Sequence, residues 1–132
     1  MLLLKRTLSA VRSLIHETKK THARSPQWKG VRDTFLESHP DCAACGGKKK
    51  LQVHHIEPFH RSPERELDET NLITLCMGTH DCHLNIGHGD SFSCYNPDVV
   101  ADAERFKTSD AKTRNTIIAE ARSKRQQNAS PT

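Results

Sequence analysis

Apolar residues along the chain fall into short helical and strand-like patterns that are separated by turn residues. A basic amphipathic pattern extends to about Thr21 and predicts an N-terminal helix. Ser25-Pro26 then predicts the start of a second helix, with Ser25 as its N-cap and Pro26 at its first position. Apolar side chains recur at helical spacing over 28–36, and His39-Pro40 ends that pattern.

Two short apolar segments follow in the middle of the chain. LQVHH at 51–55 predicts a strand, NLITLC at 71–76 is the second segment, and a loop with two prolines lies between them. The stretch 77–94 is rich in turn residues and leaves room only for a short helix over 82–86. The pattern becomes helical again after Asn96-Pro97.

Two apolar faces predict two C-terminal helices with a break at Thr108-Ser109. The first face consists of Val99, Val100, Ala103 and Phe106, and the second consists of Ile117, Ile118 and Ala121. From Ser123 the tail is polar and is expected to fray. The patterns together predict an α+β fold with a basic helical arm at 1–24, a core at 25–95 and a helical extension at 96–132.

Composition limits how this fold can be stabilised. The chain of 132 residues is 34% hydrophobic and 5% aromatic, so the apolar core of what we expect to be one domain must be small. Domains with small cores often depend on a disulfide or a bound metal. Five cysteines and nine histidines are the candidates for such a cross-link.

Charge is distributed unevenly along the chain. Residues 1–50 carry eleven basic and four acidic side chains (+7), 51–100 carry two and eight (−6), and 101–132 carry seven and four (+3). Basic ends around an acidic, histidine-rich middle suggest a cation site flanked by surfaces for a polyanion, although solvated helix faces would give a similar pattern.

No apolar run is long enough to span a membrane, which takes about 18 residues or more, so no membrane association is expected. The opening MLLLKR is too short for a secretory signal, and an amphipathic helix explains the leucine-rich start more simply than an organelle transit peptide. We therefore expect an intracellular, cytoplasmic protein whose thiols stay reduced.

Four cysteines have the spacing of a structural zinc site. Cys42 and Cys45 form a Cys-x2-Cys pair in a glycine-bearing turn, and Cys76 and Cys82 form a looser second pair. Two thiolate pairs of this kind can close a tetrahedral Zn²⁺ site. His80 could replace Cys82, and a disulfide or buried thiols are the alternatives to zinc. Cys94 has no partner by spacing and is expected to be a packing residue.

The ordered string CAACG, LQVHHIEPFH and LDETNLITLCMGTHDCHLNIGH resembles the HNH endonuclease family over roughly residues 26–90. The resemblance implies a ββα-metal fold, in which a two-stranded hairpin and a helix hold a divalent cation. It also implies that the core at 25–95 is a nuclease that hydrolyses phosphodiester bonds of DNA.

Individual roles follow from the same resemblance. By position, His54 and His83 match metal ligands, and His88 is a candidate third ligand. The five-residue offset from His83 to His88 does not suit a regular helix, so Gly87 is expected to break it. His55 matches the general base, and Asn71 matches the central asparagine that orients the hairpin and the base.

The chemistry of these residues agrees with those roles. A neutral imidazole, whose ordinary pKa is about 6.5, can accept a proton from water at physiological pH. Strand alternation places His54 and His55 on opposite faces, so one can bind the cation while the other stays free of it. Mg²⁺ prefers oxygen ligands, whereas an imidazole-rich site suits Mn²⁺, Ni²⁺, Co²⁺ or Zn²⁺, so the catalytic ion stays open among them.

Lys48, Lys49 and Lys50 lie in the turn before the first strand, close to the predicted site, and are candidate contacts to DNA phosphates. Two alternatives to a nuclease stay open. One is a catalytically inactive, zinc-stabilised nucleic-acid-binding module, and the other is a subunit of phage packaging or restriction machinery. Such a protein partner, a homodimer, and an origin in a phage or a bacterium are compatible with the sequence.

Overall fold

The computed structural model describes residues 23–129. The basic amphipathic pattern that ends at about Thr21 lies outside the described residues, as do the last three residues of the tail. Among the helices of residues 23–129, none combines the length and the apolar character that crossing a membrane requires.

The first helix, α1, begins later than its sequence signals predict. It spans Trp28–Ser38, with Gln27 rather than Ser25 at the N-cap position. Ser25 instead closes a turn before the helix, because its hydroxyl accepts the N–H of Gln27 at 3.1 Å and its carbonyl accepts the N–H of Trp28 at 3.1 Å. The helix ends before His39-Pro40, as predicted.

A two-stranded antiparallel hairpin forms the centre of the molecule. β1 spans Leu51–His55 and β2 spans Leu72–Cys76, and their register pairs Leu51 with Cys76 and His55 with Leu72. The predicted strand and the second apolar segment are therefore confirmed as neighbours. This register places a cysteine at one end of the hairpin and the histidine pair at the other.

A single π-helical turn, His83–Gly87, follows β2. The N–H of His88 donates to the carbonyl of His83 at 3.0 Å, which is an i to i+5 hydrogen bond. No regular helix runs from His83 to His88, because the wider π-helical turn spans the five-residue offset and ends at Gly87. Gly87 permits close packing, since a Cβ there would lie 3.0 Å from Leu75 Cδ1 and 3.2 Å from His54 Nδ1.

The C-terminal section is more ordered than its polar sequence suggests. After β3 (Cys94–Tyr95), α2 spans Val99–Lys107 and α3 spans Ala111–Lys124, so the predicted break at Thr108-Ser109 is confirmed. Fraying from Ser123 was wrong, because the helix continues and β4 (Gln126–Gln127) pairs with β3. Backbone hydrogen bonds hold this segment, and they do not depend on side-chain polarity.

Apolar side chains from the hairpin, the π-helical turn and both C-terminal helices meet in one core. Its most deeply buried members, apart from the cysteines, are Ala44, Leu75, Ile86, Val99, Ala103, Phe106 and Ile117. Val100 does not join them and is 42% exposed, which corrects the predicted apolar face of α2. The small core and the mixture of helices and strands confirm an α+β fold.

Candidate metal centre

The four predicted cysteines come together at one end of the hairpin. Cys42 and Cys45 lie in the turn before β1, Cys76 ends β2, and Cys82 precedes the π-helical turn. One Sγ atom from each lies within 4.8 Å of the others, and Cys45 Sγ is 3.6 Å from Cys76 Sγ. Tetrahedral zinc with Zn–S bonds of about 2.3 Å sets its sulfurs about 3.8 Å apart. The sulfur positions therefore fit this ion.

The turn geometry and the thiol chemistry agree with metal binding. Gly46 adopts a positive φ of 75°, and the N–H of Gly47 donates to Cys45 Sγ at 3.4 Å. A hydrogen bond from the Cys82 thiol lowers the pKa of Cys42 to about 4, whereas that same bond and burial raise the pKa of Cys82. Further deprotonation in so enclosed a cluster requires a compensating cation.

The four-cysteine cluster shows which of the candidate side chains lie together. Cys82 completes it, and His80 lies outside it on an exposed turn. All five cysteines are free thiols, and Cys94 is buried away from the cluster as a packing residue. A disulfide therefore does not link the turn with Cys42 and Cys45 to the end of β2.

Three histidines form a second cluster near the other end of the hairpin. His54 comes from β1, and His83 and His88 lie at the two ends of the π-helical turn. One ring nitrogen from each lies within 4.8 Å of the others. The i to i+5 hydrogen bond brings the rings of His83 and His88 to 4.8 Å between centroids, with their Nε2 atoms 3.1 Å apart.

Hydrogen bonding indicates which ring nitrogens keep a lone pair and which have no partner. The carbonyl of Cys94 can only accept, so His88 Nδ1, 2.7 Å away, must carry the proton and Nε2 keeps its lone pair. His54 Nε2 and His83 Nδ1 are buried without a hydrogen-bond partner in the described part of the chain. Unpartnered buried nitrogens of this kind are suited to bind a cation.

Electrostatics keep the three imidazoles neutral, as metal coordination requires. Burial lowers the pKa of His83 to about 4, and it holds the pKa of His54 well below the ordinary histidine range. Burial also lowers the pKa of His88, against the opposing effect of its hydrogen bond to Cys94. The neutral nitrogen donors fit a divalent cation such as Mn²⁺, Ni²⁺ or Zn²⁺.

His55 lies beside this cluster without joining it. Its Nε2 is 2.9 Å from the carbonyl oxygen of Glu66, and its ring packs against the Trp28 ring with centroids 4.5 Å apart. The carbonyl can only accept, so Nε2 carries the proton and Nδ1 keeps the lone pair. Burial lowers the pKa of His55, although the Glu66 carbonyl opposes the shift. The ring is therefore neutral at physiological pH.

Asn71 fixes the backbone that follows His55. The Asn71 side chain is fully buried, and its Oδ1 accepts the N–H of Glu57 at 2.8 Å. Its Nδ2 donates to the carbonyls of Glu57 at 3.1 Å and Arg65 at 3.3 Å, while its own carbonyl accepts the N–H of Ile56 at 2.8 Å. Asn71 thus holds the chain on both sides of the loop without touching the imidazole.

A cavity of about 310 Å³ opens onto the three clustered histidines and His55. Arg24 and Arg32 also line it, and the Arg24 guanidinium lies 4.3 Å from the Phe59 ring centre and 3.4 Å from the Glu66 carboxylate. Both arginines were among many basic residues of the arm and helix, and only the fold singles them out.

The lysine triplet does not line the histidine cavity. Lys48, Lys49 and Lys50 border a separate cavity of about 770 Å³ beside the cysteine cluster, with Lys48 paired to Asp41. Their predicted position close to the histidines was wrong, because the register of the hairpin sends the lysine turn to its opposite end.

Two neighbours of the clustered histidines carried no sequence signal. The Phe92 ring packs 5.0 Å from the His88 ring, and Asn128 lines the cavity from the tail beyond β4. Both lie outside any recognisable motif. A polar tail offers nothing that distinguishes Asn128 from its neighbours before the strand pairing is known.

Comparison with known proteins adds one match. Residues 42–89, which are 48 of the 132 residues, match the model of a family described as HNH endonuclease. This segment contains all four clustered cysteines, both strands of the hairpin and all three clustered histidines. No curated protein and no solved structure matches the chain significantly.

Proposed function

We propose that this protein is a metal-dependent endonuclease that hydrolyses phosphodiester bonds of DNA, because residues 42–89 match the HNH endonuclease family model. The observation that carries the proposal is the single cavity shared by a three-histidine cluster and a fourth, separately held histidine. The first set offers nitrogen ligands, and the fourth histidine offers a base beside them.

We assign the two metal sites as follows. His54, His83 and His88 would hold the catalytic divalent cation, and Cys42, Cys45, Cys76 and Cys82 would hold structural Zn²⁺. The bound cation would stabilise negative charge on the phosphate and on the leaving 3′ oxygen. The zinc would join the turn with Cys42 and Cys45, the end of β2 and the start of the π-helical turn. It would thereby support the hairpin and the turn on which the histidines lie.

His55 is the proposed general base. Its Nδ1 lone pair takes a proton from water as the water oxygen forms a bond to phosphorus, and the bond from phosphorus to the 3′ oxygen breaks. The hydrogen bond to Glu66 and the packing of Trp28 hold the ring in one orientation while this happens. Asn71 is a positioning residue, since it holds the backbone next to His55 and touches no reacting atom.

Basic side chains would hold the DNA on both sides of the chemistry. Arg24 and Arg32 line the cavity and suit a phosphate next to the scissile bond. A strand rises about 3.3 Å per residue, so Lys50 lies roughly 16 Å along β1 from His55, or about five base pairs at about 3.4 Å each. We propose that the lysine turn contacts phosphates at that distance and adds affinity without reading sequence.

Nicking of supercoiled plasmid tests the proposal. The parent protein is incubated with Mg²⁺, Mn²⁺, Ni²⁺ or Zn²⁺, beside His55→Ala and the matched control His80→Ala, which alters an exposed histidine outside both clusters. Loss of a general base costs about 10²–10⁴ in rate, whereas the control should cut normally. Failure of every metal to support nicking, or full activity of His55→Ala, would refute the mechanism. DNA binding without cleavage would favour an inactive binding module.

A further inference from the structure

Asn128 lines the histidine cavity from outside residues 42–89. The residue lines the cavity together with His54, His83 and His88. Its Oδ1 atom is buried and has no hydrogen-bond partner within residues 23–129. Buried side-chain oxygens are normally paired, so an unpartnered one at a candidate cation site calls for a ligand.

The contacts of Asn128 define which way its amide points. Its Nδ2 lies 2.8 Å from the carbonyl oxygen of Phe92, and its backbone N–H donates to the carbonyl of Ser93 at 2.9 Å. A carbonyl can only accept a hydrogen bond, so the NH₂ group must face Phe92. That assignment leaves Oδ1 as the free end of the amide.

The surrounding structure holds this orientation in advance. β4 pairs with β3 immediately before Asn128, and Arg125 donates to the carbonyl of Gly89 at 2.8 Å. The segment 125–128 is therefore attached along its length to the loop that follows the π-helical turn. An oxygen held in this way can bind an ion without first being ordered.

We propose that Asn128 supplies an oxygen donor to the cation that the three histidines hold. The inference rests on the proposed function, because it requires that the histidine cluster is a cation site. An amide oxygen beside three imidazole nitrogens gives the site a higher affinity for Mn²⁺ and Mg²⁺ than the nitrogen donors would give alone. The C-terminal extension then completes the metal centre, in addition to packing on the core.

A purely structural role for Asn128 predicts a different outcome from the same substitutions. Asn128→Ala removes both the oxygen and the NH₂ group, whereas Asn128→Asp keeps an oxygen donor, adds a negative charge and loses the hydrogen bond that the NH₂ group donates to Phe92. An oxygen donor is therefore rescued by Asp, and an anchor of the loop is not. Gln127→Ala is the matched control, since that neighbouring side chain is exposed.

Binding of Co²⁺ and Mn²⁺ to zinc-loaded protein measures the effect without reference to cleavage. Visible absorption of Co²⁺ reports the geometry of the site, and calorimetry gives the affinities of both ions. Removing a group that supports a metal site costs about 10–100-fold in affinity. We expect Asn128→Ala to lose about that much and to change the Co²⁺ spectrum, Asn128→Asp to bind at least as tightly as the parent, and Gln127→Ala to be unchanged.

The outcomes separate this inference from the proposed function. Parent-like affinity and spectrum in Asn128→Ala, or equal weakening in the Ala and Asp variants, would overturn the role of Asn128 while leaving the histidine site intact. If the parent binds no ion, or if His54→Ala leaves the ion affinity unchanged, both the role of Asn128 and the proposed histidine site are overturned. Thermal melting of the ion-free proteins shows whether either variant has lost its fold.

Discussion

Packing between Gly87 and the hairpin provides a test of how the π-helical turn positions the histidines of the proposed metal centre. In Gly87→Ala the new methyl group would lie 3.0 Å from Leu75 Cδ1 and 3.2 Å from both Cε1 and Nδ1 of His54. Ordinary contacts between carbons are about 3.5–4.0 Å, so these neighbours must move by a few tenths of an ångström. Leu75 and His54 are both buried, which restricts that movement.

The size of the effect follows from two opposing contributions. Replacing glycine with alanine at a compatible backbone position stabilises a protein by about 0.4–1 kcal/mol, whereas overpacking a core costs about 1–3 kcal/mol. Gly30→Ala isolates the first contribution, because a Cβ at that position in α1 meets nothing within 4 Å. We therefore expect Gly30→Ala to be slightly stabilising and Gly87→Ala to be less stable than it by about 1–3 kcal/mol.

Metal affinity should respond more strongly than stability. Ligand positions in metal sites are held to about 0.2 Å, and displacement of the His54 ring exceeds that tolerance. Guanidinium denaturation with zinc present measures the stability of both variants, and calorimetry with Mn²⁺ measures their affinity. We expect Gly87→Ala to lose at least tenfold in Mn²⁺ affinity and Gly30→Ala to bind Mn²⁺ as the parent does. Parent-like Mn²⁺ binding by Gly87→Ala would refute the view that this packing positions His54.

Three further predictions concern the zinc site, the central asparagine and a helix cap. Cys42→Ser should lose its tightly held zinc, about one ion per chain, and unfold, because structural zinc contributes about 10–16 kcal/mol in small domains. In metal analysis the control Cys94→Ser, which lies outside the cluster, should keep its zinc. A folded, zinc-free Cys42→Ser would contradict the assignment. Asn71→Ala should destabilise the protein by about 1–3 kcal/mol in denaturation, because it removes a buried side chain that makes three hydrogen bonds, one of them accepted from the N–H of Glu57. The same variant should slow nicking while metal affinity holds, and normal nicking would exclude a positioning role. Asp110 caps α3, and its hydrogen bond to the backbone lowers its pKa, so the cap stabilises above the ordinary carboxyl pKa of 3.8 and is lost as the pH falls through the lowered value. At pH 7, Asp110→Ala should therefore melt at a lower temperature than the parent, and Asp110→Asn should melt close to the parent. This account would be contradicted if the difference in melting temperature between Asp110→Ala and the parent were just as large in strong acid.

The short-range features of the fold were accessible from sequence patterns. A short apolar segment predicted β1, two apolar faces predicted the break before α3, and the ordered motif predicted the resemblance to the HNH family that the family match over residues 42–89 confirms. The cysteine spacing likewise predicted the four-thiol cluster. These features depend on neighbours in the chain, and local geometry restricts such neighbours strongly.

Features that depend on contacts between distant segments were beyond the sequence. The pattern could not tell whether His83 and His88 share a face, because the i to i+5 turn depends on Gly87 packing against His54 and Leu75 of the hairpin. Nor could it show that Lys48–Lys50 lie at the far end of the hairpin, which the strand register decides.

The C-terminal tail shows the same limit most clearly. Its polar side chains predicted fraying, yet backbone pairing of β4 with β3 orders it and carries Asn128 to the histidine cavity. Nearly every residue can form backbone hydrogen bonds, so composition does not predict which residues pair. The sequence by itself determined which residues could bind metal and accept a proton, and the tertiary structure decided which of them meet in one cavity.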